Sequence, residues 1–204
     1  MRDSDRHKKT VTAITFDHLK ECLAHHPPRR IAEPRGWQAA VALVLVPNTG
    51  REGLDLLLIK RAENPRDPWS GQMALPGGRW EPGDPSLLET AVRETREEVG
   101  LDLAPGQLLG ELDDLEPRTR TLPQLVVRPF VFGLGSKPPL NPSPEVALYL
   151  WVPLEELLAE GSRQEAEIPA LGRSFPAYMV GAGYPVWGMT ERILSRFLDL
   201  VRQR

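Results

Sequence analysis

The chain has 204 residues, 25 lysines and arginines against 28 aspartates and glutamates, and a formal charge of −3 at pH 7. That length suits one decorated domain with a sizeable core, and the near-balance of charge argues against a bulk polyanion such as DNA as partner. A lone cysteine, Cys22, excludes an intramolecular disulfide; there is no Cys and His spacing for zinc, and no apolar run is long enough to span a membrane.

The N-terminus, MRDSDRHKK, lacks the apolar segment of a signal peptide, and residues 1 to 10 read as disordered. A soluble, cytoplasmic protein without nucleic-acid or membrane partners is the expectation. Residues 16 to 24 carry the pattern of a short amphipathic helix, and His25 and His26 beside Pro27 and Pro28 open a polar, Pro- and Arg-rich linker. Core structure begins near Trp37, so residues 1–36 are expected as an extension and 37–204 as the main domain. AAVALVLVP, residues 39 to 47, and LDLLLIKR, residues 54 to 61, read as two strands joined by a turn through Asn48, Gly50 and Gly53. A glycine-rich turn at Pro76, Gly77 and Gly78 leads to a helix with Asp84 as N-cap, Pro85 at its first position and Gly100 just past its last turn. Strands follow at 108 to 112 and 125 to 134, VALYLWVPL closes another before a helix at 154 to 157, and an amphipathic helix at 190 to 201 ends the chain. Strands on both sides of one central helix, with a terminal helix, predict an α/β or α+β layered domain. No internal repeat is present.

The central helix has two stripes. At roughly 100° per residue, Leu88, Val92, Thr95 and Val99 share an arc that faces a core, and Glu94, Glu97 and Glu98 share the neighbouring one. A solvated charged face explains part of this, because Glu89, Arg93 and Glu97 stand four apart and form ordinary surface pairs of a few tenths of a kcal/mol. Glu94 and Glu98, also four apart, repel instead. No lysine or arginine on the helix neutralises both. A hard divalent cation turns that repulsion into a site, since Mg²⁺ takes oxygen ligands and bridges carboxylates to substrate phosphates. Gly77 and Gly78 support the same chemistry by letting main chain approach phosphate or metal without an intervening side chain.

PGG followed by RETREEVGL resembles the signature of the Nudix hydrolases: Gly, five residues, Glu, seven residues, Arg-Glu, an aliphatic residue, any residue, Glu-Glu, any residue, Gly and an aliphatic residue. Arg93, Glu94, Glu97, Glu98, Gly100 and Leu101 stand in register, with Thr95 where an aliphatic residue is usual. The first half departs from it. Five residues on from Gly78 the chain has Asp84 rather than Glu, and eight residues instead of seven then precede Arg93. The resemblance implies the family's α/β/α sandwich around a mixed sheet over residues 37 to 201. It implies Mg²⁺ or Mn²⁺ held by Glu94, Glu97 and Glu98 with the main chain at Gly78, beside Arg93, and hydrolysis of a nucleoside diphosphate linked to another group by a metal-activated water. In the family the first Glu supports the helix and its arginine; Asp84, Glu81 and Glu89 are the candidates here. For a general base the candidates are Glu145, Glu116, Asp113 and Asp114, against the alternative that each is a surface carboxylate.

The flanks carry a second resemblance, to the coenzyme A pyrophosphatase branch. In LLIKRAENPRDPWSGQMALPGG, residues 57 to 78, Leu57, Leu58, Arg61, Gly71 and Pro76 to Gly78 fit that branch, while Ile59, Ala62 and Leu75 stand for its Thr, Ser and Phe. LLGELDDL, SPEVALYLWVPLEEL and YPVWGMTERIL are similar to further stretches of it. This implies cleavage of coenzyme A or its thioesters, with Arg61, Arg66, Arg79, Arg118 and Arg120 as cations for the substrate's phosphates. Trp69, Tyr184 and Trp187 are candidates to stack on adenine or, alternatively, core aromatics. Two alternatives stay open: a pyrophosphatase for ADP-ribose, nucleotide sugars or nucleoside triphosphates, and a non-catalytic domain that senses a nucleotide. The resemblance also implies a homodimer, with residues 1–36 and the stretch near Tyr184 as contributors.

Overall fold

In the computed structural model, which describes residues 13–104, 107–117 and 124–202, the first element is α1 (Phe16–Ala24), capped by Thr15, whose side chain accepts from the His18 amide. The expectation of disorder over residues 1 to 10 lies outside the described residues. The apolar run that follows the linker becomes the central strand β1 (Trp37–Pro47). Val41, Leu43 and Leu45 face one hydrophobic cluster and Ala42, Val44 and Val46 the other. A strand covered on both faces reads as continuous hydrophobicity instead of alternation.

β2 (Leu54–Arg61) runs antiparallel to β1, with Leu45 opposite Leu56. After β2 come two short strands, β3 (Met73–Ala74) and β4 (Gly77–Arg79), then α2 (Leu87–Val99). β5 (Leu108–Glu111), β6 (Leu125–Gly133), β7 (Val146–Pro153) and α3 (Leu154–Leu158) follow. β6 is parallel to β1 along nine register positions from Trp37 opposite Leu125 to Leu45 opposite Gly133. The sheet has the order β3-β2-β1-β6-β5, with β4 attached to β1 and β7 to β2. It is therefore mixed.

Ala91 and Val99 of α2 pack on one face of this sheet. On the other lie Leu19 and Leu23 of α1, Leu154 and Leu157 of α3, and Ile193, Leu194, Phe197, Leu198 and Val201 of the last helix, α4 (Gly188–Arg202). The expected α/β/α layering is what the chain forms. α1 buries its leucines in the cluster that also contains β1 and β2, so the segment before Trp37 shares the main core.

Four local expectations are corrected. The Pro76–Gly78 segment is not a turn: Gly77 and Gly78 are in β4, opposite Val41 and Ala40 of β1. The N-cap of α2 is Ser86, whose Oγ accepts from the Glu89 amide, because the Asp84 carboxylate is engaged elsewhere. Leu88 and Val92 are half-buried at the edge of the core face, and Thr90, Ala91, Thr95 and Val99 form its centre. A second sheet, β8 (Arg163–Ile168), β9 (Arg173–Val180) and β10 (Tyr184–Trp187), occupies a stretch for which the sequence predicts no strand. Its inward residues Tyr178, Val180 and Val186 close the α4 side of the core.

Candidate metal and diphosphate site

The site forms where β4 crosses the last turns of α2. Gly77 has φ 146°, and a Cβ there would collide with the Ala40 carbonyl and the Val41 main chain across the ladder. A Cβ on Gly78 would enter the carboxylate of Glu94. The two glycines thus let α2 lay its acids directly against main chain. The Gly77 amide donates to Glu98 Oε2 at 2.8 Å.

Glu98 is only 3% exposed. Burial pushes its carboxyl up to about 8; the Gly77 amide and Arg61 oppose the shift, and the charges of Glu94 and Glu145 add to it. Its nearest cation, the Arg61 Nη1, stands 3.5 Å from Oε1, the outer limit of a hydrogen bond. Glu94 is also raised above the usual carboxylate range, first by burial, with Arg93 at 3.0 Å opposing and Glu97 and Glu145 adding. Glu97 differs: it is more than half exposed and accepts from Arg93 Nη1 at 3.0 Å.

Arg93 is more than a surface partner. Its Nε donates to Asp84 Oδ1 at 2.8 Å and its Nη2 to Asp84 Oδ2 and the Arg79 carbonyl, each at 3.0 Å. Asp84 also accepts from the Thr90 hydroxyl at 2.9 Å and the Glu81 amide at 3.1 Å. The Arg93 guanidinium holds its carboxyl down at about 2, against burial, with the Glu81 and Thr90 bonds helping. Among Asp84, Glu81 and Glu89, it is therefore Asp84 that braces the helix arginine.

Among the described residues, no three His, Cys, Asp or Glu side chains stand gathered as a metal cage. The reason is visible in the partners: Glu97 is drawn to Arg93, while Glu98 turns inward to Gly77. The chemistry of the donor set still fits a hard divalent ion. Buried Glu98, half-buried Glu94, Glu97 on the same helix and the charge of Glu145 offer only oxygen donors, with Arg93 on Glu94 and Glu97 and Arg61 at 3.5 Å from Glu98 as the cations present.

The other sequence candidates separate by position. Arg61 lies at the site; Arg66 is exposed on the loop between β2 and β3; Arg79 is exposed with its guanidinium 4.1 Å from the centre of the Trp37 ring. Glu145 is exposed just before β7, and its charge acts on both Glu94 and Glu98. Asp113 and Asp114 are bound by Arg29 and Arg128, and Glu116 lends its carbonyl to Arg192. Arg118 and Arg120 lie outside the described residues. Trp69 and Tyr184 pack against the core, and Trp187 stacks on Phe175 with centroids 5.2 Å apart. Sequence reasoning missed Asp67, which binds Arg61 at 2.7 Å, although its place six residues on in the same loop was a usable signal.

Comparison with known proteins follows the same lines. A family model described as NUDIX domain matches residues 36–171. An uncharacterized protein of Schizosaccharomyces pombe is 34% identical over 70% of this chain, which spans 44% of that protein's length. The uncharacterized Nudix hydrolase NudL of Photorhabdus laumondii is 32% identical, with 86% of this chain and 90% of NudL covered. Among solved structures, a MutT/nudix family protein from Enterococcus faecalis has a similar fold, with TM-score 0.58 over 92% of this chain and 70% of that one at 20% identity.

Proposed function

This chain belongs to the NUDIX domain family and is a Nudix hydrolase, and we propose that it splits the diphosphate bond of coenzyme A or acyl-CoA into 3′-phospho-AMP and 4′-phosphopantetheine. One observation carries the site: Glu98 is buried and bonded to the Gly77 amide, and the carboxylate of Glu94, from the same helix, abuts the neighbouring Gly78. In this reading Glu94, Glu97 and Glu98, with the Gly78 main chain, hold Mg²⁺ or Mn²⁺. A cation bound there would supply charge to offset the diphosphate and would lower the pKa of water.

The chain's own groups do the rest. Asp84 and Arg93 fix the helix end that presents Glu94 and Glu97. Glu145, solvent-facing and in the field of the same carboxylates, takes the proton of the attacking water as general base. Coenzyme A is favoured by the flank, residues 57 to 78, whose Arg61 touches Glu98 and so brings the branch-like segment against the reacting end. Arg61, Arg66 and Arg79 then meet the substrate's phosphates, with Gly77 and Gly78 giving the close main-chain approach. A cytoplasmic homodimer acting on a small nucleotide, with neither nucleic acid nor membrane as partner, completes the proposal. Among the described residues, no helix is long and apolar enough to cross a membrane.

The test offers purified protein, with Mg²⁺ or Mn²⁺, coenzyme A, ADP-ribose, a nucleotide sugar and a nucleoside triphosphate, and resolves products by chromatography. Preferred turnover of coenzyme A is expected. Good turnover of another substrate with none of coenzyme A overturns the assignment.

A further inference from the structure

Arg61 is the last residue of β2, where the pairing with β7 slips: Lys60 stands opposite Leu148, but Arg61 stands opposite Val146. Such an irregularity re-aims a side chain out of the ladder. The Arg61 side chain leaves the sheet toward two carboxylates. Asp67 Oδ2 takes its Nε at 2.8 Å and its Nη2 at 2.7 Å, while Nη1 reaches Glu98 only at 3.5 Å.

Asp67 is itself fixed. Its Oδ1 accepts from the Trp69 amide at 2.9 Å, its carbonyl accepts from the Ser70 amide at 3.0 Å, and its own amide donates to the Asn64 carbonyl at 3.0 Å. A guanidinium has five N–H donors, and Asp67 occupies the Nε side of the fork. The Nη1 side is left facing Glu98 at a loose distance.

We propose that Asp67 is a positioning residue that aims Arg61, so that the free side of its guanidinium moves from Glu98 to the non-bridging oxygens of the substrate's diphosphate. The proposal rests on the diphosphate reading above. Arginine suits this exchange because its rigid fork can keep one carboxylate while it binds an anionic oxygen with its remaining donors. No bond is made or broken; Arg61 exchanges a long ion pair for short, charge-assisted hydrogen bonds.

The experiment measures kcat and KM for Asp67→Asn, Asp67→Glu, Arg61→Lys and the Asp67→Asn/Arg61→Lys pair, with calorimetric binding of ADP to the metal-free protein as a second readout. Loss of an aimed hydrogen bond to a charged group predicts that Asp67→Asn raises KM and weakens ADP about tenfold, with kcat within about threefold. Asp67→Glu restores most of the loss, and the double variant is no worse than Arg61→Lys alone. Unchanged KM and ADP affinity in Asp67→Asn, or additive losses in the pair, overturns the proposal. If the wild type hydrolyses no diphosphate, the functional reading fails by itself, and ADP binding still decides whether Asp67 aims Arg61. Thermal unfolding of each variant separates a lost fold from a lost clamp, and where Asp67→Asn does not fold, Asp67→Ser read by the same KM and ADP affinity supplies the answer: losses like those of Arg61→Lys support the clamp and wild-type values overturn it.

Discussion

Two pairs of carboxylates stand in this molecule: Glu98, 3% exposed, with the half-buried Glu94, and Asp113 and Asp114, 7% and 8% exposed. Their surroundings differ. Asp113 accepts the Arg29 amide at 2.9 Å, Nε at 2.8 Å and Nη2 at 2.6 Å, with His26 Nε2 3.1 Å away. Asp114 accepts Nε and Nη2 of Arg128 at 2.8 and 3.0 Å and the Ile31 amide at 3.0 Å. Burial alone would raise both, yet their amide and arginine partners hold them below the usual carboxylate range. Glu94 and Glu98 have fewer compensating partners and are raised. Burial alone therefore does not set how a carboxylate titrates; the partners it meets do. The pair Asp113 and Asp114 ties the linker to the loop between β5 and β6.

The largest effect that tests this contrast is Glu98→Gln. It keeps the shape and the bond from Gly77 but removes the charge, so metal-dependent hydrolysis should fall on the order of a hundredfold or more. The metal-free fold should survive, because the amide resembles the protonated acid that burial favours. Near wild-type rates would reduce the acidic stripe to a charged face. Asp114→Asn should do the opposite. It weakens the hold on Arg128, Arg30 and the Ile31 amide, and urea unfolding should show a loss of about 1–3 kcal/mol, discounted for partial exposure of the arginines. Its kcat should stay within about twofold of wild type. A variant of full stability and poor turnover would place Asp114 in the reaction and erase the contrast.

What the sequence makes legible follows from how local each cause is. The residues of α1 and the runs of β1 and β2 announce themselves through apolar pattern, and Glu94, Glu97 and Glu98 through spacing on one helix. β4 is illegible because Gly77 and Gly78 carry the composition of a turn, and only pairing with Val41 and Ala40 makes them a strand. β8, RQEAEI, has four charged or amide residues in six and little apolar signal, since it is an edge strand with a largely exposed surface. Asp84 looks like a helix cap until Arg93, nine residues on, claims it. The role of Asp113 depends on Arg29, 84 residues earlier, and no local pattern joins them.

The smallest expected effect is the most discriminating, because the two pairs shift in opposite directions. Glu98 binds its proton more tightly in the folded chain, up to about 8 against an ordinary 4.5. Between those values the folded state keeps a proton that the unfolded state releases. Raising the pH through that window should therefore cost the metal-free protein stability, by at most about 1.4 kcal/mol per unit from this group. Asp113 and Asp114 are lowered from 3.8, so their contribution is complete above that value and disappears only as the pH falls through their folded values. The windows do not overlap. Urea midpoints in chelator from pH 5 to 8.5 should thus decline more steeply for wild type than for Glu98→Gln, while Asp114→Asn should lower the curve without changing its slope. Parallel wild-type and Glu98→Gln curves would mean that Glu98 is already ionised in the metal-free protein and that Arg61, even at 3.5 Å, satisfies it.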